Sequence, residues 1–181
     1  MTEDENPPTE EPIAERKPLG WVFWVFLVVF IFMGPVTVLG SYFVLAQSAP
    51  AHVIFLAFPI GFLVAAILHV NNMRDLEGDK EKGKRTLANL LGRRASRIEY
   101  QILVWGSYAV LAVLVVLGYA PWFALLALFT LPSALKLVRQ ANSSDAPPVL
   151  NKVLRGTAKL HERFGWLMIA GIVVGIVARL G

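Results

Sequence analysis

Five apolar runs, spread from end to end of this 181-residue chain, constrain its fold more than anything else in the sequence. A membrane core is about 30 Å thick, so a helix needs about 20 apolar residues to cross it. Runs at 21–46, 52–70, 100–118, 122–138 and 164–178 meet or approach that length. A soluble helical bundle would need polar faces, and these runs have none. The first run is longer than needed and carries Gly34-Pro35 near its middle, which predicts a kink or tilt there. The fourth is short and has Pro132 inside it. The expected fold is all-α, a polytopic transmembrane bundle of five spans. A hydrophobic share of 56% and a mean hydropathy of +0.58 place the chain well outside ordinary soluble composition.

The connections between runs alternate in character. Those at 47–51 and 119–121 are short and uncharged, whereas those after the second and fourth runs are long and basic. With the N-terminus in the cytoplasm, sixteen of the seventeen Lys and Arg residues lie on that side and only Arg179 on the other. This asymmetry predicts a multi-pass protein of the cell membrane, with its N-terminus and the loop around Asp75 cytoplasmic. The net charge of +4 then reflects topology, and nucleic acid is not among the expected partners. Residues 1–16 hold six acids and three prolines, which predicts a disordered acidic tail ahead of a transmembrane domain at 17–181. A secretory signal would instead begin basic and turn apolar. The absence of cysteine excludes disulfides, thiolate metal sites and a Cys nucleophile, and His52, His69 and His161 are too scattered for a zinc site.

Trp21, Tyr100, Trp122 and Trp166 lie near run ends, where amphipathic rings settle at the membrane interface. Gly34, Gly40, Gly165, Gly171 and Gly175 predict close helix approach. His69, one turn inside the cytoplasmic end of its run, is expected to sit at the interface or pack rather than to act as a base.

The second run leads into NNMRDLEGDKEKGKRTLANLLGRR. A helix continuing past the membrane surface places Asn71, Asp75 and Asp79 at i, i+4 and i+8 on one face, with Asn72 beside them. Hard oxygen donors of this kind suit Mg²⁺, which takes a few carboxylates and fills its shell with water and phosphate. Gly83 is expected to stop the helix. Arg74 precedes Asp75, and Lys84 and Arg85 follow Gly83, so cations that could offset a diphosphate lie beside the carboxylates. The same spacing is also that of a solvated, salt-bridged helix face, and spacing alone does not choose between them. Arg93, Arg94 and Arg97 read as positive-inside anchors.

The stretch Asn71-Asn72-Met73-Arg74-Asp75-Leu76-Glu77-Gly78-Asp79, with Gly83-Lys84-Arg85-Thr86-Leu87-Ala88 and Leu91-Gly92, resembles the second aspartate-rich motif of the UbiA superfamily. These are intramembrane aromatic prenyltransferases. The GKRTLA continuation is similar to the branch that prenylates dihydroxynaphthoate to demethylmenaquinone. Gly34-Pro35-Val36 and Gly40-Ser41-Tyr42-Phe43 resemble that branch's fifth helix, and Thr157-Ala158-Lys159-Leu160-His161 with Phe164-Gly165 its entry to the last. The resemblance implies that residues 17–181 form the second half of a nine-helix fold. It implies Mg²⁺ as cofactor, a polyprenyl diphosphate donor and an aromatic acceptor. Asp75 and Asp79 would be catalytic metal ligands, assisted by Asn71 or Asn72, and Arg74, Lys84 and Arg85 would meet the diphosphate.

Family members carry two aspartate motifs, one in each half, and this sequence carries one. An ungapped match from Lys17-Pro18 sets Phe26 where the family has an aspartate. The resemblance therefore implies half of a split enzyme, with little activity alone, completed by a partner subunit bearing the first motif. Competing expectations are an inactive gene fragment, a non-catalytic membrane interaction subunit, UbiA-type prenylation of another acceptor, and a homodimer using two copies of one motif.

Overall fold

A computed structural model describes residues 20–84 and 86–180, and every regular element among them is helical. The acidic tail and Arg85 lie outside the described residues, as do the side chains of Trp21 and Phe26. Five helical stretches are long and apolar enough to cross a membrane: Leu27–Ala46, Val53–Arg74, Leu87–Val116, Trp122–Ser143 and Pro147–Arg179.

The first span joins α1 (Gly20–Ile31) to α2 (Thr37–Ala46) through a wide π-turn at Phe32–Val36. Pro35 has no N–H to give and its ring crowds the preceding turn, so the backbone widens instead of breaking. Thr37 donates its hydroxyl to the carbonyl of Phe32 at 2.6 Å, holding the turn from within. Gly34, the buried residue of the turn, lies against the backbone of Gly61 in the next helix. The kink expected at Gly34-Pro35 is thus a π-turn seated on a neighbouring glycine.

The central helix is α3 (Ala51–Arg74), which packs along both α5 (Leu87–Val116) and α7 (Pro147–Leu180). Between α3 and α5 lies the short α4 (Leu76–Glu81). Half of the Val53–Arg74 span is buried, against 6% of Leu27–Ala46, so the first span sits on the bundle's outside. The core contains Leu63, Val104, Leu111, Leu160 and Phe164, with Tyr108 set edge-on to Phe164 at 5.2 Å.

Helix ends follow local chemistry. Gly83 (φ +65) ends α4, with Gly83 N–H bonded to the Lys80 carbonyl and Lys84 N–H to that of Asp79. Gly118 (φ +76) ends α5 with the same pair of bonds, to Val115 and Leu114. Both are Schellman turns, which need a residue that tolerates the left-handed region. Gly92 (φ 76, ψ 170) interrupts α5 one turn after its start, a break the sequence reading did not anticipate.

Two expectations, for Tyr100 and Gly40, need correction. Pro132 lies inside the fourth span, as the sequence reads. The chain runs as a 3₁₀ helix over Trp122–Thr130, and Pro132 sits at the first turn of a new helix, α6 (Leu131–Ser143), where a missing N–H costs nothing. Tyr100 is not an interfacial ring: it is fully buried, its hydroxyl 2.8 Å from that of Thr157 on α7. Gly40 has open space around it, whereas Gly171 and Gly175 do let α7 approach Phe123 of the 3₁₀ segment and Pro121 just before it. Trp122 and Trp166 are 66% and 68% exposed.

Candidate functional site

The end of α3, the whole of α4, the start of α5 and the α6–α7 turn meet at one end of the bundle, which the ion pairs below tie together. Asp75 leaves helical geometry (φ −91, ψ 6) between α3 and α4. The hydrogen-bond ladder nevertheless continues, from Asp75 N–H to the Asn71 carbonyl at 3.1 Å and from Asp79 N–H to the Asp75 carbonyl at 2.8 Å. Asn71, Asp75 and Asp79 therefore occupy successive turns, as their spacing anticipates.

Arg74 does not point away from this row. Its guanidinium forks onto Asp75, with Nε and Nη2 each 2.7 Å from a carboxylate oxygen. The same Nη2 donates to the Asn71 side-chain oxygen at 3.0 Å, and Nη1 reaches Asn151 of α7 at 3.5 Å. This fork holds the Asp75 carboxyl below the usual carboxylate range, against a smaller opposing effect of burial. Lys84, brought back by the Gly83 turn, places Nζ 3.5 Å from Asp79 Oδ1. Each aspartate thus already has a cation beside it, and each cation is one the sequence reading assigned to a diphosphate. Asn72 is half-buried on the same turn as Asn71. Arg85 lies outside the described residues.

A second layer fixes the position of the motif. Arg93 reaches Glu77 of α4 at 2.6 Å and Asp145 of the α6–α7 turn at 3.4 Å, and Arg97 reaches Asp145 at 2.8 Å. These arginines do more than anchor a span, because they tie the aspartate segment to the turn between α6 and α7. Thr86 caps α5 by accepting the Asn89 N–H at 3.3 Å, and Asn89 donates to the Lys84 carbonyl at 3.0 Å, closing the loop on itself. One turn inward, His69 is fully buried, with Nε2 2.8 Å from the Ser96 carbonyl and Nδ1 3.7 Å from Glu99. It packs, as expected. Asn151, Asp145 and Glu99 were not singled out in the sequence, and Glu77 stood in the motif without a role: their partners are 16 to 77 residues away.

Among the described residues, no three His, Cys, Asp or Glu side chains cluster as a self-sufficient metal site. Mg²⁺ asks for less than that. It takes one or two carboxylates and completes its octahedron with water and phosphate oxygens. Asp75 and Asp79, with the amides Asn71 and Asn72, are oxygen donors of the kind such a shell takes.

The model of the UbiA prenyltransferase family matches residues 19–159. The chain belongs to the UbiA prenyltransferase family. UbiA prenyltransferase domain-containing protein 1 of Homo sapiens is 34% identical over 148 residues, covering 82% of this chain and 42% of that protein. Its Drosophila melanogaster homolog is 35% identical over 143 residues, 79% of this chain and 38% of the homolog. The 1,4-dihydroxy-2-naphthoate octaprenyltransferase of Escherichia coli K12 is 29% identical over 157 residues, 87% of this chain and 51% of that enzyme. The chain spans about half or less of the length of these UbiA relatives.

Proposed function

We propose that this chain supplies one of the two charged motifs of a Mg²⁺-dependent polyprenyltransferase, acting on dihydroxynaphthoate in menaquinone synthesis. The observation that carries the proposal is the row Asn71, Asp75, Asp79 on successive turns, with Arg74 and Lys84 already against its carboxylates. Family membership supports the reaction class, and the naphthoate-prenylating relative supports the acceptor.

Asp75 and Asp79 would hold the ion, with Asn71 or Asn72 adding amide oxygens. When bound, the metal supplies positive charge to a leaving diphosphate. Arg74, Lys84 and Arg85 supply the rest as donors to phosphate oxygens. In the present arrangement Arg74 and Lys84 neutralise the carboxylates, so both are preplaced within a side-chain rotation of an incoming anion. The Arg93 and Arg97 ion pairs keep the segment fixed while this exchange occurs. Apolar surface along the bundle shields a cation-like allylic carbon from water.

One motif leaves a diphosphate open to solvent on its far side. The proposal therefore includes a partner polypeptide of the N-terminal-half type that carries the complementary aspartate motif. The thinly buried first span, with Trp24, Phe32 and Phe43 exposed, offers surface for it. Co-expression of this chain with its neighbouring reading frame, followed by a dihydroxynaphthoate prenylation assay, tests the reading. Activity is expected only from the pair. Equal activity with and without the second polypeptide would overturn the split arrangement, and prenylation of a different aromatic in preference would overturn the acceptor.

A further inference from the structure

Away from the aspartate motif, α6 and α7 enclose a recess of different construction. On α7, Lys152, Gly156, Lys159 and Arg163 recur at i, i+4, i+7 and i+11 and so share one helix face. On α6, Lys136, Leu137 and Gln140 likewise recur at i, i+1 and i+4 along the side facing α7. The two faces close where Gly156 meets Leu137, whose side chain takes the space a Cβ would need. The result is an apolar floor ringed by Lys136, Lys152, Lys159 and Arg163, in a recess of about 250 Å³.

That recess opens into a groove of about 540 Å³, the two sharing Ser133, Lys159 and Arg163. The groove runs on to Phe129 and Trp166, which are 77% and 68% exposed. One end is therefore cationic and the other apolar. Four cations face a single carboxylate, Glu162, and among the described residues none of the four forms an ion pair. Arg74, Arg93 and Arg97, at the same end of the bundle, are each matched by an acid. Unmatched cations converging on a recess, with a groove leading from it to the exposed rings of Phe129 and Trp166, have the polarity of an anionic amphiphile.

We propose that this groove binds the phosphate headgroup of an anionic phospholipid, its acyl chains leaving past Phe129 and Trp166. Basic pockets between transmembrane helices favour such headgroups through convergent charge. The site is separate from the aspartate motif and does not depend on the reaction proposed for it.

Native mass spectrometry of the detergent-purified chain, with phosphatidylglycerol, phosphatidylcholine or farnesyl diphosphate added at equal concentration, tests this. Phosphatidylglycerol is expected to be retained about tenfold over phosphatidylcholine, and the fourfold change Lys136→Gln, Lys152→Gln, Lys159→Gln, Arg163→Gln to remove that preference. Arg139→Gln with Arg155→Gln, exposed cations outside the groove, is expected to leave it intact. If the fourfold variant does not fold, Lys136→Gln with Lys159→Gln gives the same reading at part strength. Equal retention of the two phospholipids would overturn the site, as would an equal loss in the Arg139/Arg155 variant, which would mark a diffuse surface charge. Farnesyl diphosphate displacing phosphatidylglycerol, and itself lost in the groove variant, would reassign the groove to a prenyl diphosphate.

Discussion

Arg74 is the residue on which the aspartate motif turns, because it touches Asp75, Asn71 and Asn151 at once. Its two 2.7 Å bonds stabilise the ionised form of Asp75, so that carboxylate stays charged at lower pH than an ordinary one. The sign follows from the lowered value. The stabilisation is present above the ordinary carboxylate range and is lost as pH falls through the depressed native value. Arg74→Gln is therefore expected to move the acid limb of metal-dependent prenylation, or of Mn²⁺ binding followed by electron paramagnetic resonance, to higher pH. An unmoved limb would mean that Asp75 is not the titrating group. His69 shows the contrast with a working titratable group: it is fully buried and bonded to a backbone carbonyl, and belongs to packing.

At the scale of elements, three glycines and one arginine set the geometry. Gly83→Ala forces a Cβ into the left-handed region and is expected to cost about 1–2 kcal/mol, and Gly92→Ala, at a positive φ with extended ψ, about 1–3 kcal/mol, each read as a lower unfolding midpoint in detergent. Gly171→Leu meets the backbone of Phe123 and should cost about as much as overpacking elsewhere, roughly 1–3 kcal/mol. Arg93→Ala removes pairs whose members are one-third to more than half exposed, so stability should change by less than about 1 kcal/mol. Its effect should appear instead in prenylation, because α4 loses its tie to the α6–α7 turn. These elements also separate what the sequence discloses from what it hides. Pro35 and Gly83 act on their own neighbours, so a kink and a helix stop could be read directly. Pro132 could not, because the same residue breaks a helix or begins one depending on the turn before it, here a 3₁₀ run. Tyr100 looked interfacial by its place in the run, and only its pairing with Thr157, 57 residues on, explains its burial. The placement of Asn71, Asp75 and Asp79 on successive turns was legible from spacing, and the role proposed for them only from the motif, whereas Asn151 and Asp145 join them through long-range packing alone.

At the scale of the whole molecule, the described residues form a helical bundle of the UbiA family, with five stretches long and apolar enough to cross a membrane and one charged end. Both features proposed for that end use cations, but in opposite states. Around the aspartates they are matched by acids, and along the α6–α7 groove they are not. A weakly buried first span leaves apolar surface on the outside, which is where a second polypeptide would add its helices. The central claim is that Asp75 and Asp79 are the charged groups this chain brings to a shared site. It is tested most directly by assaying the co-expressed pair with Asp75→Asn and Asp79→Asn, scoring prenylation and co-purification together. The account predicts that prenylation falls by at least about a hundredfold, the scale of removing a group that stabilises developing charge, while the pair still co-purifies. Prenylation at the wild-type rate in the double variant would contradict it.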